Sequence, residues 1–221
     1  MDQNIIRVET VPLEFDLEAL GHRLHIRPGQ TKFMDRLSRL AEEAARVGKP
    51  KAVARLSGLT LLDEERVRIG DVTFSSPLLR KKVDGLGRAF PYLASEGPEL
   101  ADWSLSLPSS LEQVFASALR EVAVQRAENM LERTLLEQYG IAQVSAMNPG
   151  SLEVWSLEEQ VPLFELLAPL PEQLGVTLLP SLMMRPQYTV SGVFFQTDSK
   201  FYNCQLCPKE ACPNRKAPLS V

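Results

Sequence analysis

Thr189-Val-Ser-Gly-Val-Phe-Phe195, close to the carboxyl end, is the segment from which the architecture can be inferred. β-Branched and aromatic residues bounded by turn residues are typical of a strand inside a sheet. Residues 176–184 form a second apolar segment, joined to the first through Arg185-Pro186-Gln187, and residues 88–94 form a third. The spacing predicts strands at all three places.

Helices are expected at residues 31–47, 108–139 and 158–167, where apolar residues recur every three or four positions. The longest has Ser109 and Ser110 to cap its start and Gly140 to end it. Pro162 is tolerated only in the first turn of the third helix. A short helix is expected at residues 80–83, further strands at residues 52–56, 66–69, 72–74 and 141–147, a turn at residues 97–100, and irregular chain over residues 1–29.

These elements predict an α+β fold, with helices packed on a mostly antiparallel twisted sheet. We assign residues 1–203 to one domain and residues 204–221 to a cysteine-containing tail. A chain of 221 residues is long enough to bury a substantial core.

Composition and charge disfavour several classes of protein. The net charge of -4 and the pI near 5.4 do not favour nucleic-acid binding. No apolar window approaches the roughly 18 residues of a membrane span, and the first residues do not form a secretory signal. Three cysteines are an odd number, which argues against a closed disulfide framework. We therefore expect a cytoplasmic protein with reduced thiols.

The three cysteines are clustered in the tail. Cys204, Cys207 and Cys212 follow a C-x2-C-x4-C spacing. Three thiolates on one short loop can converge on one metal ion, and an iron–sulfur cluster or zinc is expected there. The alternatives are free thiols, or a structural zinc completed by a partner. His22 and His25 lie far away in the sequence and are expected on the surface.

A resemblance to a known family rests on residues 141–202. The matching segments are Asn148-Pro149-Gly150, residues 174–178, Ser191-Gly192-Val-Phe-Phe195 and Asp198-Ser-Lys-Phe-Tyr202. With them, about a third of the chain resembles the reactivation domain of cobalamin-dependent methionine synthase. Small stand-alone relatives with a Cys-x-x-Cys-Pro ending also resemble this chain, and they tend to accompany corrinoid methyl-transfer systems.

The resemblance implies a site for S-adenosylmethionine. The family motif Arg-x-x-x-Gly-Tyr aligns with residues 146–151, where Gly150 is kept but Ala146 and Ser151 replace the arginine and the tyrosine. Alanine cannot replace the forked donor that an arginine offers a carboxylate. The cofactor-binding residues that the resemblance implies are Gly150, Ser151, Ser191, Gly192, Phe201 and Tyr202.

Each of these residues also has a structural interpretation. Asn-Pro-Gly is a good turn sequence, and Gly192 with Ser191 could mark a bulge as well as a close approach of a cofactor. Phe201 and Tyr202 could be core or rim aromatics.

The resemblance implies an auxiliary of corrinoid-dependent methyl transfer, whose cobalamin is carried by a corrinoid-binding protein or a methionine synthase component. Whether the chain is an enzyme is left open. The alternative is a non-catalytic docking module with a structural zinc and a degenerate S-adenosylmethionine site. An S-adenosylmethionine-dependent methyltransferase is a third hypothesis, and the missing arginine argues against it.

Overall fold

The computed structural model describes residues 4–209, 212 and 215–219. Within this part of the chain, eight strands form one antiparallel sheet and two short strands form a separate hairpin. The sheet strands are β1 (Ile5–Val8), β2 (Lys51–Arg55), β3 (Ser57–Leu61), β4 (Arg66–Ile69), β5 (Val72–Ser75), β6 (Arg88–Ser95), β7 (Val144–Met147) and β10 (Thr189–Gln196). The hairpin consists of β8 (Thr177–Leu178) and β9 (Met184–Arg185).

Seven α-helices accompany the strands in the described residues. They are α1 (Leu17–Arg23), α2 (Thr31–Val47), α3 (Pro77–Lys82), α4 (Pro98–Leu105), α5 (Ser110–Tyr139), α6 (Gln160–Leu167) and α7 (Leu170–Gln173). Two 3-10 turns, Leu157–Glu159 and Asn203–Gln205, precede α6 and follow β10. The α+β class with a mostly antiparallel sheet is confirmed.

β6 is the central strand of the sheet. It pairs with β2 and β3 along one edge and with β10 along the other, and β10 in turn pairs with β7. All seven central residues from Ala89 to Ser95 are buried, because helices cover both faces of the sheet. The sheet thus holds β10 in a fixed register against a fully buried neighbour.

α5 is the longest element, with 30 residues, which corresponds to about 45 Å. The Ser109 hydroxyl accepts a hydrogen bond from the backbone N–H of Glu112 at 3.2 Å, and Gly140 ends the helix in the left-handed conformation. Its apolar residues pack against β1, β2, β6 and β10 around Phe90, Leu131 and Phe194. The predicted helix and both of its caps are confirmed.

The remaining helices complete two further apolar cores. α6 and α3 cover the opposite face of the sheet, where Trp155, Phe74 and Phe195 are buried. α2 and α4 pack against the first half of α5 around Leu37, Leu40 and Phe115. The predicted helices at residues 31–47 and 158–167 are confirmed, and Pro162 lies in the first turn of α6.

Three predictions about secondary structure were wrong. Residues 4–29 are not irregular throughout, because they contain β1 and the seven-residue α1, which Asp16 caps by accepting from the N–H of Ala19. Residues 97–100 are not simply a turn, because α4 begins at Pro98. Residues 176–184 are not one strand. The Leu182 N–H donates to the Leu179 carbonyl and closes a turn over residues 179–182. Only the two-residue strands β8 and β9 remain on either side of this turn.

Candidate functional site

A cavity of about 570 Å³ lies beside β10, beyond the end of β7. β7 pairs only with residues from Val193 to Gln196, so the edge of β10 from Thr189 to Gly192 has no strand partner on this side among the described residues. Asn148, the first residue after β7, donates its side-chain N–H to the Ser191 carbonyl at 2.8 Å. The cavity therefore follows an open strand edge, where backbone groups can meet a ligand.

One wall of the cavity is the polar face of α5. It carries Gln125, Glu128, Asn129 and Glu132, which their spacing of three and four places on one side of the helix. Glu132 forms an ion pair with Lys200, which lies in the segment after β10. This pair joins the second half of α5 to the segment after β10, which also lines the cavity.

A chain of hydrogen bonds underlies the floor. The Tyr92 hydroxyl donates to Glu128 Oε1 at 2.6 Å and accepts from Asn148 Nδ2 at 2.8 Å. Asn203 Nδ2 donates to Asn148 Oδ1 at 3.0 Å. Asn148 is thus held by β6, β10 and the segment that follows β10, and its position is determined by three separate parts of the fold.

Tyr92 is fully buried, and its ring stacks on Phe194 with 3.9 Å between the ring centroids. Burial, followed by the nearby Glu128 carboxylate, raises the pKa of the Tyr92 phenol well above its usual value near 10. The phenol is therefore neutral at physiological pH and donates a hydrogen bond to Glu128.

Gly192 and Gly150 have structural roles. A Cβ at Gly192 would lie 2.5 Å from both Asn148 Nδ2 and the Met147 carbonyl oxygen. Gly150 has a φ of 75°, and a Cβ there would lie 2.6 Å from Leu157. Neither glycine is among the described residues that line the cavity. The close approach that Gly192 permits is that of the Asn148 side chain.

The other four residues that the resemblance pointed to, Ser151, Ser191, Phe201 and Tyr202, line the cavity. The Ser191 hydroxyl lies 3.5 Å from Gln160 Oε1 of α6. Phe201 is buried, with its N–H on the Ser145 hydroxyl at 2.7 Å, and Tyr202 is half-buried. Their assignment as ligand-binding residues stays a prediction.

The tail lies against the same cavity. Cys204 and Lys216 form part of its wall, and the Lys216 backbone N–H approaches Cys204 Sγ at 3.4 Å. The Arg215 guanidinium donates to the carbonyl oxygens of Cys204, Cys207, Lys209 and Ala217 at 2.7 to 3.1 Å. One arginine thus holds together four carbonyl oxygens of the tail, including that of Cys204 on the cavity wall.

The thiols of Cys204, Cys207 and Cys212 are half-buried and free. Within residues 4–209, 212 and 215–219, no three His, Cys, Asp or Glu side chains come together as a set of metal ligands. The carbonyl oxygens of Cys204 and Cys207 meet at one guanidinium, but a preformed three-sulfur site is absent from these residues. His22 and His25 are exposed, as expected.

Sequence reasoning missed Glu128 and Glu132 as cavity residues, and Tyr92 as the buried residue that hydrogen-bonds to Glu128 beneath them. The glutamates could have been found, because polar residues at positions 125, 128, 129 and 132 interrupt the apolar pattern on one side of α5. Tyr92 carried no such pattern, since it lies among the apolar residues 89–94 of β6.

No protein-family model and no curated protein matches the chain. Among solved structures, the fold is similar to the MetH reactivation domain bound to AdoHcy, with a TM-score of 0.62 and 15% sequence identity. The match covers 90% of this chain and 80% of that one. At this identity the similarity shows the fold, which agrees with the resemblance seen in the sequence. None of the helices in the described part of the chain is long and apolar enough to cross a membrane.

Proposed function

We propose that the chain is an auxiliary protein of corrinoid-dependent methyl transfer and binds an S-adenosyl ligand in the cavity beside β10. The observation that supports this is the cavity itself. It occurs in a fold similar to a domain solved with AdoHcy, and Ser151, Ser191, Phe201 and Tyr202 line it. A volume of about 570 Å³ is within the range of small-molecule sites.

The proposed partner is a corrinoid-binding protein or a methionine synthase component. Its cobalamin would accept the methyl group, whereas this chain would bind and orient the methyl donor. Residues 189–192 of β10 have no strand partner on the cavity side among the described residues, and Asn148 keeps that edge in place by donating to the Ser191 carbonyl. The aromatic residues Phe194 and Tyr202 offer an apolar surface for the ligand.

Isothermal titration calorimetry with S-adenosylmethionine and with AdoHcy tests the ligand. We expect saturable binding to the wild-type protein, and weaker binding to the S191Y variant, whose larger side chain enters the cavity. The V114T variant, at an exposed position of α5 away from the cavity wall, is the matched control and should bind normally. Absence of binding to the wild-type protein would contradict the proposal.

The finer part of the proposal is a metal centre on Cys204, Cys207 and Cys212. Its support is the C-x2-C-x4-C spacing, the Lys216 N–H that approaches Cys204 Sγ, and the Arg215 anchor. Hydrogen bonds to sulfur tune the potential of iron–sulfur centres. Such a centre would supply single electrons to the corrinoid system.

Metal and sulfide analysis of protein purified without oxygen tests this part. Iron with acid-labile sulfide is the expected result. About one zinc without iron would instead favour a non-catalytic docking module with a structural zinc. That alternative draws its support from Ala146, which leaves no guanidinium where the family motif has arginine. Protein that contains neither iron nor zinc would contradict the proposed metal centre.

A further inference from the structure

The charges on the cavity wall carry information about the ligand. Among the described lining residues, the charged ones are Glu128, Glu132, Lys200 and Lys216. Glu132 and Lys200 neutralise each other in an ion pair. Glu128 and Lys216 remain, and neither forms an ion pair with another described residue.

Glu128 offers a negative charge from α5. One of its oxygens accepts the Tyr92 hydroxyl, a neutral donor that leaves the charge uncompensated. A carboxylate has room for further donors at its second oxygen. A ligand ammonium would complete this group.

Lys216 offers a positive charge from the tail. Arg215, the residue before it, is anchored on four backbone carbonyl oxygens, and the Lys216 N–H approaches Cys204 Sγ. The backbone at Lys216 is thus held against Cys204, another residue of the cavity wall, while Lys216 itself is exposed. A ligand carboxylate would complete this second group.

We propose that Glu128 and Lys216 hold the zwitterionic amino-acid end of the cavity's ligand, Glu128 its ammonium group and Lys216 its carboxylate. The inference rests on the proposed S-adenosyl ligand and adds which residues select its amino-acid end. An α-amino acid carries one charge of each sign, and the two unpaired charges of the described lining, Glu128 on α5 and Lys216 in the tail, are also of opposite sign.

Calorimetry with AdoHcy and with 5′-methylthioadenosine, which lacks the amino-acid end, separates this role from general stability. The K216M variant keeps the apolar stem and removes the charge. We expect it to weaken AdoHcy binding about tenfold, the effect of a charge-assisted hydrogen bond, and to leave methylthioadenosine binding unchanged. The E128Q variant should show the same selectivity, since its amide oxygen can still accept from Tyr92.

The matched control is K209M, in the same tail but outside the cavity wall, and it should bind both compounds as the wild type does. K216R, which keeps the charge, should retain most of the AdoHcy affinity. Equal AdoHcy affinity in K216M and wild type would overturn the inference and leave the proposed function intact. An equal loss of affinity for AdoHcy and for methylthioadenosine in K216M would also overturn the inference. Failure of the wild-type protein to bind either compound would overturn both.

Discussion

Asn148 is the residue around which the cavity is organised. Its side-chain N–H donates to the Tyr92 hydroxyl and the Ser191 carbonyl, and its oxygen accepts from Asn203. A half-buried amide with three such partners holds one orientation, because any rotation would leave several polar groups unpaired. The absent side chain of Gly192 provides the space that this orientation needs.

The Gly192→Ala substitution should therefore destabilise the protein. The new Cβ would lie 2.5 Å from Asn148 Nδ2 and 2.5 Å from the Met147 carbonyl oxygen, so the strand pair β7–β10 has to shift. We expect the free energy of unfolding to fall by about 1 to 3 kcal/mol, as is usual for overpacking. Urea denaturation of the purified variant measures the change.

Gly58→Ala is the control for this substitution, because a Cβ at Gly58 in β3 would meet no atom within 4 Å. Its unfolding free energy should stay within about 0.5 kcal/mol of the wild-type value. Equal stability of the two variants would show that the crowding around Asn148 is relieved at no cost.

Tyr92 should be the last tyrosine to ionise. Its pKa is raised in the folded protein by burial and by Glu128, whereas in the unfolded chain it lies near 10. A raised folded pKa contributes stability that is present below pH 10 and is lost as the pH rises above that value. Alkaline unfolding is therefore expected to begin before Tyr92 titrates in the native state.

Tyrosinate absorbance measures this difference, since the chain has 4 tyrosines. The Y92F variant should show the same amplitude as the wild type in the native titration, and a smaller amplitude only after alkaline unfolding. A smaller amplitude of Y92F before unfolding would show that the Tyr92 phenol ionises in the folded protein.

At the scale of elements, α5 is joined to the sheet by a buried ion pair. Arg120 donates to both oxygens of Glu96 at 2.6 and 2.7 Å, and the Tyr188 N–H donates to Glu96 at 3.1 Å. Glu96 follows β6 and Tyr188 precedes β10, so the pair connects α5 to the ends of both strands. The Arg120 side chain is 10% exposed and the Glu96 side chain is 0% exposed.

Removing one charge of this pair should destabilise the fold strongly. The E96Q variant leaves a buried guanidinium without a counter-ion, and we expect a loss of about 3 to 5 kcal/mol. The E96M/R120M double variant should recover part of that loss, because it buries no unpaired charge. Thermal and urea unfolding of the wild type, E96Q and E96M/R120M measure the loss and how much of it the double variant recovers.

The ion pair between the half-buried Arg80 and the exposed Asp84, at 3.4 Å, serves as the comparison. The D84N variant should change stability by less than about 1 kcal/mol, since exposed ion pairs are screened by solvent. A similar small effect of E96Q would mean that water reaches the buried pair.

The elements that the sequence predicted well are those with a long, regular pattern. α5 and β10 were both predicted with nearly correct ends, because caps and apolar periodicity agree there. α1 was missed because seven residues show too few repeats to define a period. Residues 176–184 are apolar enough for a strand, but the turn over residues 179–182 outweighs that preference.

The candidate site was predictable only where a motif marked it. Ser191, Tyr202 and Cys204 stand in recognisable segments, and all three lie on the cavity wall. The contribution of α5 depends on how the helix packs across the sheet, which no local pattern specifies. The partnership of Asn148 with Tyr92 joins residues 56 positions apart.

At the scale of the whole molecule, the cavity is assembled from α5, β10, the turn after β7 and the tail. The tail contributes Cys204 and Lys216 to the cavity wall. The division into residues 1–203 and 204–221 was drawn from the sequence, where the cysteines begin. We propose that this division holds for folding as well. The core of residues 4–203 should fold whether or not the tail is attached to the cavity.

The R215M variant tests this independence. It removes the guanidinium that holds four carbonyl oxygens of the tail, but no residue of the three apolar cores. We expect limited proteolysis to cut within residues 204–219 faster than in the wild type, while the midpoint of global unfolding stays unchanged. AdoHcy affinity should fall, because Lys216 is no longer held against the cavity.

The K209M variant provides the control, since its backbone carbonyl can still accept from Arg215. It should match the wild type in proteolysis, unfolding and AdoHcy binding. If R215M lowered the global unfolding midpoint together with tail protection, the tail would be part of the cooperative core and the chain would be one folding unit. Because the same variant reports on folding and on binding, the two roles of the tail can be separated in one preparation.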